Sequence, residues 1–120
     1  LFDPVKAVLA HGDAHAWNTL AVPGARDFKL VDPDGVLVEP AYDLAIPMRE
    51  WSADLLAGDP VRLAWRRCDL LATLSGLAPE AIWQWGFIER VSTGLLCARL
   101  DMPEARNMLA VADALAGALD

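Results

Sequence analysis

Two carboxylates, a carboxamide and two histidines lie close together near the start of the chain. The segment His11-Gly12-Asp13-Ala14-His15-Ala16-Trp17-Asn18 is followed fourteen residues later by Asp32. Phosphoryl transfer to a hydroxyl needs such groups, because one carboxylate orients the hydroxyl or accepts its proton while oxygen ligands hold magnesium on the phosphates. The pattern therefore predicts Asp13 as the catalytic carboxylate, and Asn18 with Asp32 as the magnesium ligands.

Simpler interpretations exist for each of these side chains. Asp13 could be a loop carboxylate that caps a turn, Asn18 a turn residue, and Asp32 the first residue of a turn with Asp34. His11 and His15 are four residues apart, as in a helical zinc site, but the intervening Gly12-Asp13 pair argues against a helix. We expect His11 to hold the loop by hydrogen bonds, and His15 either to support the loop or to lie near phosphate.

The composition excludes several classes of function. The 120 residues include 17 acidic and 10 basic side chains, so the basic surface that nucleic acid requires is missing. No apolar run is long enough to span a membrane and no signal peptide is visible, so we expect a cytoplasmic protein with no membrane partner. Cys68 and Cys97 have apolar neighbours, which favours buried free thiols over a disulfide.

The first part of the chain has the pattern of short strands. Apolar runs at residues 5–10, 17–22 and 28–31 predict three strands, and the turn cluster at 23–27 joins the second and third into a β-hairpin. Asp13 lies in the loop before this hairpin and Asp32 follows it. The hairpin should therefore bring Asn18 and Asp32 together.

Helical patterns begin near residue 41. We predict one helix over 42–56 with Pro47 near its start, and a second that begins at Asp59-Pro60 and ends near Ser75 before Gly76. A third, apolar around much of its circumference, begins at Pro79 or Glu80 and is expected to be the central buried helix. A fourth runs from 104 to about 119. The predicted fold class is α+β, a short hairpin carrying the catalytic loop followed by a mainly helical bundle.

Other charged and aromatic residues of the helical part have two interpretations each. Glu50 and Asp54 are one helical turn apart and could bind a substrate ammonium, or could lie on a solvated surface. Asp43 would stabilise a helix start or contact substrate. Arg62, Arg66 and Arg67 are expected on a solvated face. Trp83 and Trp85 cannot share one helix face, so one should be buried and the other should line a cleft or contact surface.

Several segments resemble a known superfamily. The His11–Asn18 segment, Asp32 and Pro40-Ala41-Tyr42-Asp43-Leu44-Ala45 resemble the C-terminal lobe of the aminoglycoside phosphotransferase and choline kinase superfamily. Residues 49–51, 55–59 and 83–94 are similar to its streptomycin 6-kinase and hydroxyurea phosphotransferase branch. The resemblance implies a protein-kinase-like C-lobe and an ATP-dependent O-phosphotransferase for a small hydroxylated compound, with antibiotic resistance as its role. By motif position, Asp13 is catalytic, Asn18 and Asp32 bind Mg²⁺, and His15 joins them at the ATP site.

The extent of the chain bears on this interpretation. It opens at Leu1, and neither a glycine-rich loop nor a strand lysine precedes the motif. We therefore expect one unit, residues 1–120, with the catalytic and metal-binding loops in 1–41 and helices in 42–120, belonging to a longer protein that has a nucleotide-binding N-lobe. On this view the isolated chain is inactive, and its apolar surface could make it a homodimer.

The substrate stays open at this point. Streptomycin-like aminoglycosides are the leading class and hydroxyurea-like compounds the second. One alternative is a metabolite kinase acting on choline, homoserine or a sugar. Another is a catalytically silent binding or interaction fragment.

Overall fold

Two nested pairs of antiparallel strands build the first part of the protein. The computed structural model describes residues 3–118. Strand β1 (Val8–Ala10) pairs with β4 (Val36–Val38), while β2 (Thr19–Ala21) pairs with β3 (Phe28–Leu30). The loop from β1 to β2 and the loop from β3 to β4 lie at the junction of the two pairs. Residues 11–18 and 31–35 are therefore neighbours in space.

The predicted hairpin is confirmed, with shorter strands than expected. The run at 5–10 yields strand only at Val8–Ala10, because Pro4–Lys6 forms a 3-10 turn that the Asp3 carboxylate caps. A second 3-10 turn, Ala16–Asn18, occupies the start of the run at 17–22. Strand β4 was not predicted, since its three residues lie between turn signals and find their partner 28 positions earlier in β1.

Five α-helices follow within the described residues: α1 (Ala41–Arg49), α2 (Ser52–Leu56), α3 (Pro60–Ser75), α4 (Pro79–Arg99) and α5 (Ala105–Ala116). The single helix predicted over 42–56 is wrong. Glu50 is extended and Trp51 has a φ of 53°, so the chain breaks between α1 and α2. Pro47 lies near the end of α1 and not near its start.

The end of α1 is held by a residue that we expected in solvent. The Arg67 side chain is half-buried and donates hydrogen bonds to the carbonyls of Pro47 and Glu50. The expectation of a solvated face is therefore wrong for Arg67, whereas Arg62 and Arg66 are exposed. The break after α1 depends on this tertiary contact, which local sequence does not reveal.

The boundaries of α3 and the start of α4 agree with the prediction. The Asp59 carboxylate accepts a hydrogen bond of 3.0 Å from the Arg62 amide, with Pro60 at the first helical position. Gly76 ends α3 with a φ of 75°, where a side chain would be strained. The last helix, predicted over 104 to about 119, spans Ala105–Ala116 and ends at Gly117, so its predicted end is about three residues too late.

Helix α4 is the centre of the helical part, as predicted, and contacts α1, α3 and α5. Gly86 lets α1 approach, because a Cβ there would lie 2.6 Å from the Cβ of Met48. Trp83 is buried and stacks on Trp65 with ring centroids 4.2 Å apart. Both cysteines are free and buried, as expected. Across residues 3–118 no helix is both long and apolar enough to cross a membrane.

Candidate active site

Asp13 lies at the centre of a cluster of hydrogen-bond donors. Arg49 donates from Nη2 to Oδ1 over 3.0 Å. The other oxygen, Oδ2, accepts from Asn18 Nδ2 at 3.1 Å and lies 3.2 Å from His15 Nε2. The structure thus brings three of the predicted site residues, Asp13, His15 and Asn18, into direct contact.

The Asn18 carboxamide has a defined orientation. Its Nδ2 donates to the Asp13 carboxylate and also to the Asp13 backbone carbonyl, at 3.0 Å. A carboxylate only accepts, so the nitrogen must face Asp13 and Oδ1 must point away from it. Within residues 3–118 no hydrogen bond uses Oδ1, which leaves a neutral oxygen ligand for a cation.

His15 supports the loop from both ring nitrogens. Nδ1 accepts a hydrogen bond of 3.1 Å from the Trp17 amide and caps the turn Ala16–Asn18. The proton of a neutral imidazole then belongs on Nε2, the nitrogen that faces Asp13. These contacts show that His15 supports the loop, and its place near phosphate stays a prediction.

Asp32 follows β3 in the loop beside Asn18. The Val31 amide donates to the Asn18 carbonyl at 2.9 Å, His11 Nε2 contacts the Val31 carbonyl at 3.0 Å, and the Asp34 amide donates to the His11 carbonyl at 2.8 Å. These contacts draw the Asp32 segment against the loop at residues 11–18. The Asp32 side chain is exposed and makes no hydrogen bond to Asp13 or Asn18.

The backbone of Asp32 has a φ of 57°, in the left-handed region. For a residue other than glycine this conformation costs about 1–3 kcal/mol and is frequent at functional sites.

His11 also accepts a hydrogen bond from the Asp13 amide through Nδ1, at 3.3 Å. Its expected structural role is confirmed, because its ring links the Asp13 backbone to the segment before Asp32.

Asp43 anchors the loop at residues 11–18, which sequence reasoning did not foresee. It lies in the first turn of α1, as expected, but its oxygens accept hydrogen bonds of 2.8 Å from the amides of His11 and Gly12. Gly12 is buried with a φ of 87°, and a Cβ there would lie 3.0 Å from the Cβ of Asp34. The close approach of the two loops therefore requires glycine at this position.

Arg49 is a second residue that sequence reasoning missed as part of the site. Besides Asp13, it contacts Glu89 from Nη1 at 3.0 Å and Glu50 from Nε at 3.5 Å. Burial lowers the pKa of Arg49, but the hydrogen bond and charge of Glu89, with Glu50 and Asp13, outweigh it and raise the pKa above its ordinary value. In the sequence, only the resemblance of residues 49–51 to the phosphotransferase branch pointed to Arg49.

Aromatic residues flank this ion-pair cluster. The ring of Tyr42 meets that of Trp85 edge-on, and Trp85 Nε1 donates to Glu39 at 3.0 Å. Burial, and next the Glu89 charge, raise the pKa of Tyr42. Trp83 is the buried member of the tryptophan pair, while Trp85 is half-buried beside α1.

Glu50 and Asp54, the predicted substrate residues, do not lie together. The predicted acidic helix face needs both on one helix, and the break at Glu50 separates them. Glu50 lines a cavity of about 260 Å³ together with Arg49 and with two residues at the start of α5, Glu104 and Asn107. Asp54 lines a different cavity of about 510 Å³ beside Arg66 and Arg67.

The described residues contain no group of three or more His, Cys, Asp or Glu side chains able to hold a metal ion. Magnesium on a nucleotide needs fewer, since it uses one or two protein carboxylates together with phosphates and water. Comparisons of the chain with protein-family models, curated proteins and solved structures find no match. Its function is therefore proposed from residue chemistry and geometry.

Proposed function

We propose that this chain is the protein-kinase-like C-lobe of an ATP- and Mg²⁺-dependent O-phosphotransferase for a small hydroxylated molecule. The observation that carries the proposal is the constellation around Asp13. One carboxylate is held by Arg49, Asn18 and His15, in a loop that hydrogen-bonds to the segment before Asp32. Phosphoryl transfer depends on positioning and charge neutralisation, for which this arrangement is suited.

Asp13 would orient the substrate hydroxyl. A carboxylate has about four lone-pair sites, and three donors already reach its two oxygens. The substrate hydroxyl would be the fourth partner, directed at the phosphate as its proton passes to Asp13. Two of the three donors lie in the loop of Asp13 itself, and the third, Arg49, is the last residue of α1, so the carboxylate is held before substrate arrives.

Asn18 and Asp32 would hold Mg²⁺. The Asn18 side-chain nitrogen donates to Asp13, so its oxygen Oδ1 is left for a cation. The exposed Asp32 carboxylate directly follows Val31, whose amide donates to the Asn18 carbonyl. When bound, the ion would neutralise charge on the phosphates. Hard oxygen ligands of this kind suit Mg²⁺.

A cationic hydroxylated substrate is favoured by the cavity that Arg49 lines. Its charged lining consists of Glu50, which pairs with Arg49, and Glu104, which forms no ion pair within residues 3–118 and would be the carboxylate for a substrate cation. Its volume of about 260 Å³ suits one ring or a guanidinium group, with the remainder of a larger molecule outside. Streptomycin-like aminoglycosides fit this description best, and hydroxyurea-like compounds are second.

A further lobe is part of the proposal. The strands expose large apolar side chains, including Leu9 and Leu37, which face each other across β1 and β4 at 74% and 72% exposure. Trp17 and Phe28 are also exposed, at 88% and 70%. Covering these side chains would remove apolar surface from water. An N-lobe that supplies the phosphate-binding loop and lysine would do so.

The test is transfer of labelled γ-phosphate by the full-length protein that contains this chain. With ATP and Mg²⁺, the acceptors are streptomycin, hydroxyurea, choline, homoserine and a hexose, and an Asp13→Asn variant gives the background. We expect labelled streptomycin. Label only on choline, homoserine or hexose would replace the antibiotic substrate by a metabolite, and no label above the Asp13→Asn background on any acceptor would overturn the phosphotransferase proposal.

A further inference from the structure

A buried cation lies outside the constellation around Asp13. Arg90, in the middle of α4, has no exposed surface. Its Nη1 donates to Ser52 Oγ at 2.7 Å, and its Nη2 to the backbone carbonyls of Met48 and Glu50, at 2.7 and 3.3 Å. Within residues 3–118 no carboxylate forms an ion pair with it. Its charge is therefore directed at the backbone where α1 ends.

Arg67, from α3, reaches the same place. Its Nη1 donates to the carbonyls of Pro47, Met48 and Glu50, at 3.2, 3.5 and 2.9 Å. The last carbonyls of a helix have no partner within it and carry its negative dipole end, so cations are stabilised there. Arg67 and Arg90, from two different helices, thus share the carbonyls of Met48 and Glu50.

A buried cation, Arg90, and a half-buried one, Arg67, oppose each other side by side. Burial, and next the charge of Arg67, lower the pKa of Arg90 to about 10, and burial lowers the pKa of Arg67. This arrangement costs free energy of folding, which the hydrogen bonds to the carbonyls must offset. The hydrogen bonds fix the backbone around Arg49, because the carbonyls of Met48 and Glu50 lie immediately before and after it.

We propose that Arg67 and Arg90 are positioning residues, which clamp the backbone on both sides of Arg49 and thereby hold its guanidinium on Asp13. Their importance for turnover rests on the proposed phosphotransferase function. The clamp itself is a geometric statement that can be measured without any reaction. Loss of either arginine would free the α1 end to shift, and a shift of about 1 Å in a positioning group can cost a hundredfold in rate.

The first experiment observes the Arg49 guanidinium by NMR in the full-length protein labelled with ¹⁵N-arginine, with signals assigned by Arg49→Lys. The wild type should show slowed rotation and separate Nη signals for Arg49. Arg67→Met and Arg90→Met should merge them, while Arg66→Met, an exposed neighbour in α3, should not. If Arg90→Met does not fold, Arg67→Met carries the test. Unchanged Arg49 signals in a folded Arg67→Met protein would overturn the proposal.

The second experiment measures turnover of the same variants. Arg67→Met should lower kcat at least tenfold with KM for ATP unchanged, and Arg67→Lys, which keeps the charge, should recover part of it. Equal loss in kcat and affinity for the Met and Lys variants would mean a general structural role and would count against the clamp. If the wild type transfers no phosphate, the function proposal fails, while the NMR result still decides on the clamp.

Discussion

Arg49 donates a hydrogen bond of 3.0 Å to Asp13, although the two residues are 36 positions apart in the sequence. Arg49 is the last residue of α1, and Asp43, in the first turn of the same helix, accepts from the amides of His11 and Gly12. The two ends of this nine-residue helix therefore hold the loop at residues 11–18: Asp43 accepts from the loop's backbone amides, and Arg49 donates to the Asp13 carboxylate.

Replacing Asp43 by alanine should lower the free energy of unfolding by about 2–4 kcal/mol, because two hydrogen bonds to a charged group are lost and two loop amides lose their partner. The free energy of unfolding of Asp43→Asn should fall between those of the wild type and Asp43→Ala, since the single carbonyl oxygen of asparagine replaces only one of the two acceptors. Denaturant unfolding measures the difference. The matched control is Asp113→Ala, at an exposed position of α5; equal stability of the two alanine variants would refute the anchoring role.

Asn18→Ala and Asp32→Ala should each raise the Mg²⁺ concentration needed for half-maximal activity of the full-length protein by at least roughly tenfold. Even the loss of a residue that only supports a metal ligand costs about 10- to 100-fold in metal affinity. The reason is that each variant removes one oxygen ligand of the proposed metal. Activity measured across a Mg²⁺ titration gives the result. Asp27→Ala, at the far end of the hairpin, should leave the titration unchanged, and an unchanged titration for Asn18→Ala and Asp32→Ala would exclude both as ligands.

Gly86→Ala should destabilise the protein by about 1–3 kcal/mol, the usual cost of overpacking. In a helix this exchange ordinarily stabilises by about 0.5–1 kcal/mol, but here the new Cβ would lie 2.6 Å from the Cβ of Met48 and push α1 away from α4. Thermal unfolding measures the effect. Gln84→Ala, at an exposed position of α4, is the control; a Gly86→Ala protein as stable as Gln84→Ala would contradict the observed helix spacing.

Cys68 should resist alkylation in the folded protein. Burial raises the pKa of its thiol to about 11, and Sγ donates to the Pro79 carbonyl at 2.9 Å. Because the folded pKa is raised, the thiolate is scarce at pH 8 and its fraction grows only as the pH approaches 11. In a Cys97→Ser background, labelling at pH 8 should follow the unfolding rate and become rapid in denaturant. Rapid labelling of the folded protein would show that Cys68 is not buried.

Local signals predicted those parts of the fold that local interactions determine. The turn cluster at 23–27 between two apolar runs predicted the β2–β3 hairpin, and Asp59-Pro60 with Gly76 predicted both ends of α3. Strand β4 and the break after Arg49 depend on distant partners, namely β1 for the strand and Arg67 with Arg90 for the break. A short apolar run or a mid-helix glutamate carries no local sign of such a partner.

The candidate site divides in the same way. Asp13, Asn18 and Asp32 could be singled out because their spacing is typical of one chemistry, and the hairpin explains why the segments meet. Arg49 and Asp43 could not, because an arginine at a helix end and an aspartate at a helix start have common local roles. Their contacts to residues 31–36 positions away depend on how α1 packs against the loop.

The most direct test of the central claim compares wild type with Asp13→Asn in the full-length protein. The account predicts that kcat for phosphate transfer to the hydroxyl substrate falls roughly 10²- to 10⁴-fold, while the Kd for ATP stays within about twofold because Asp13 serves the hydroxyl and not the nucleotide. An unchanged kcat, or a lost affinity for ATP with kcat preserved, would contradict it.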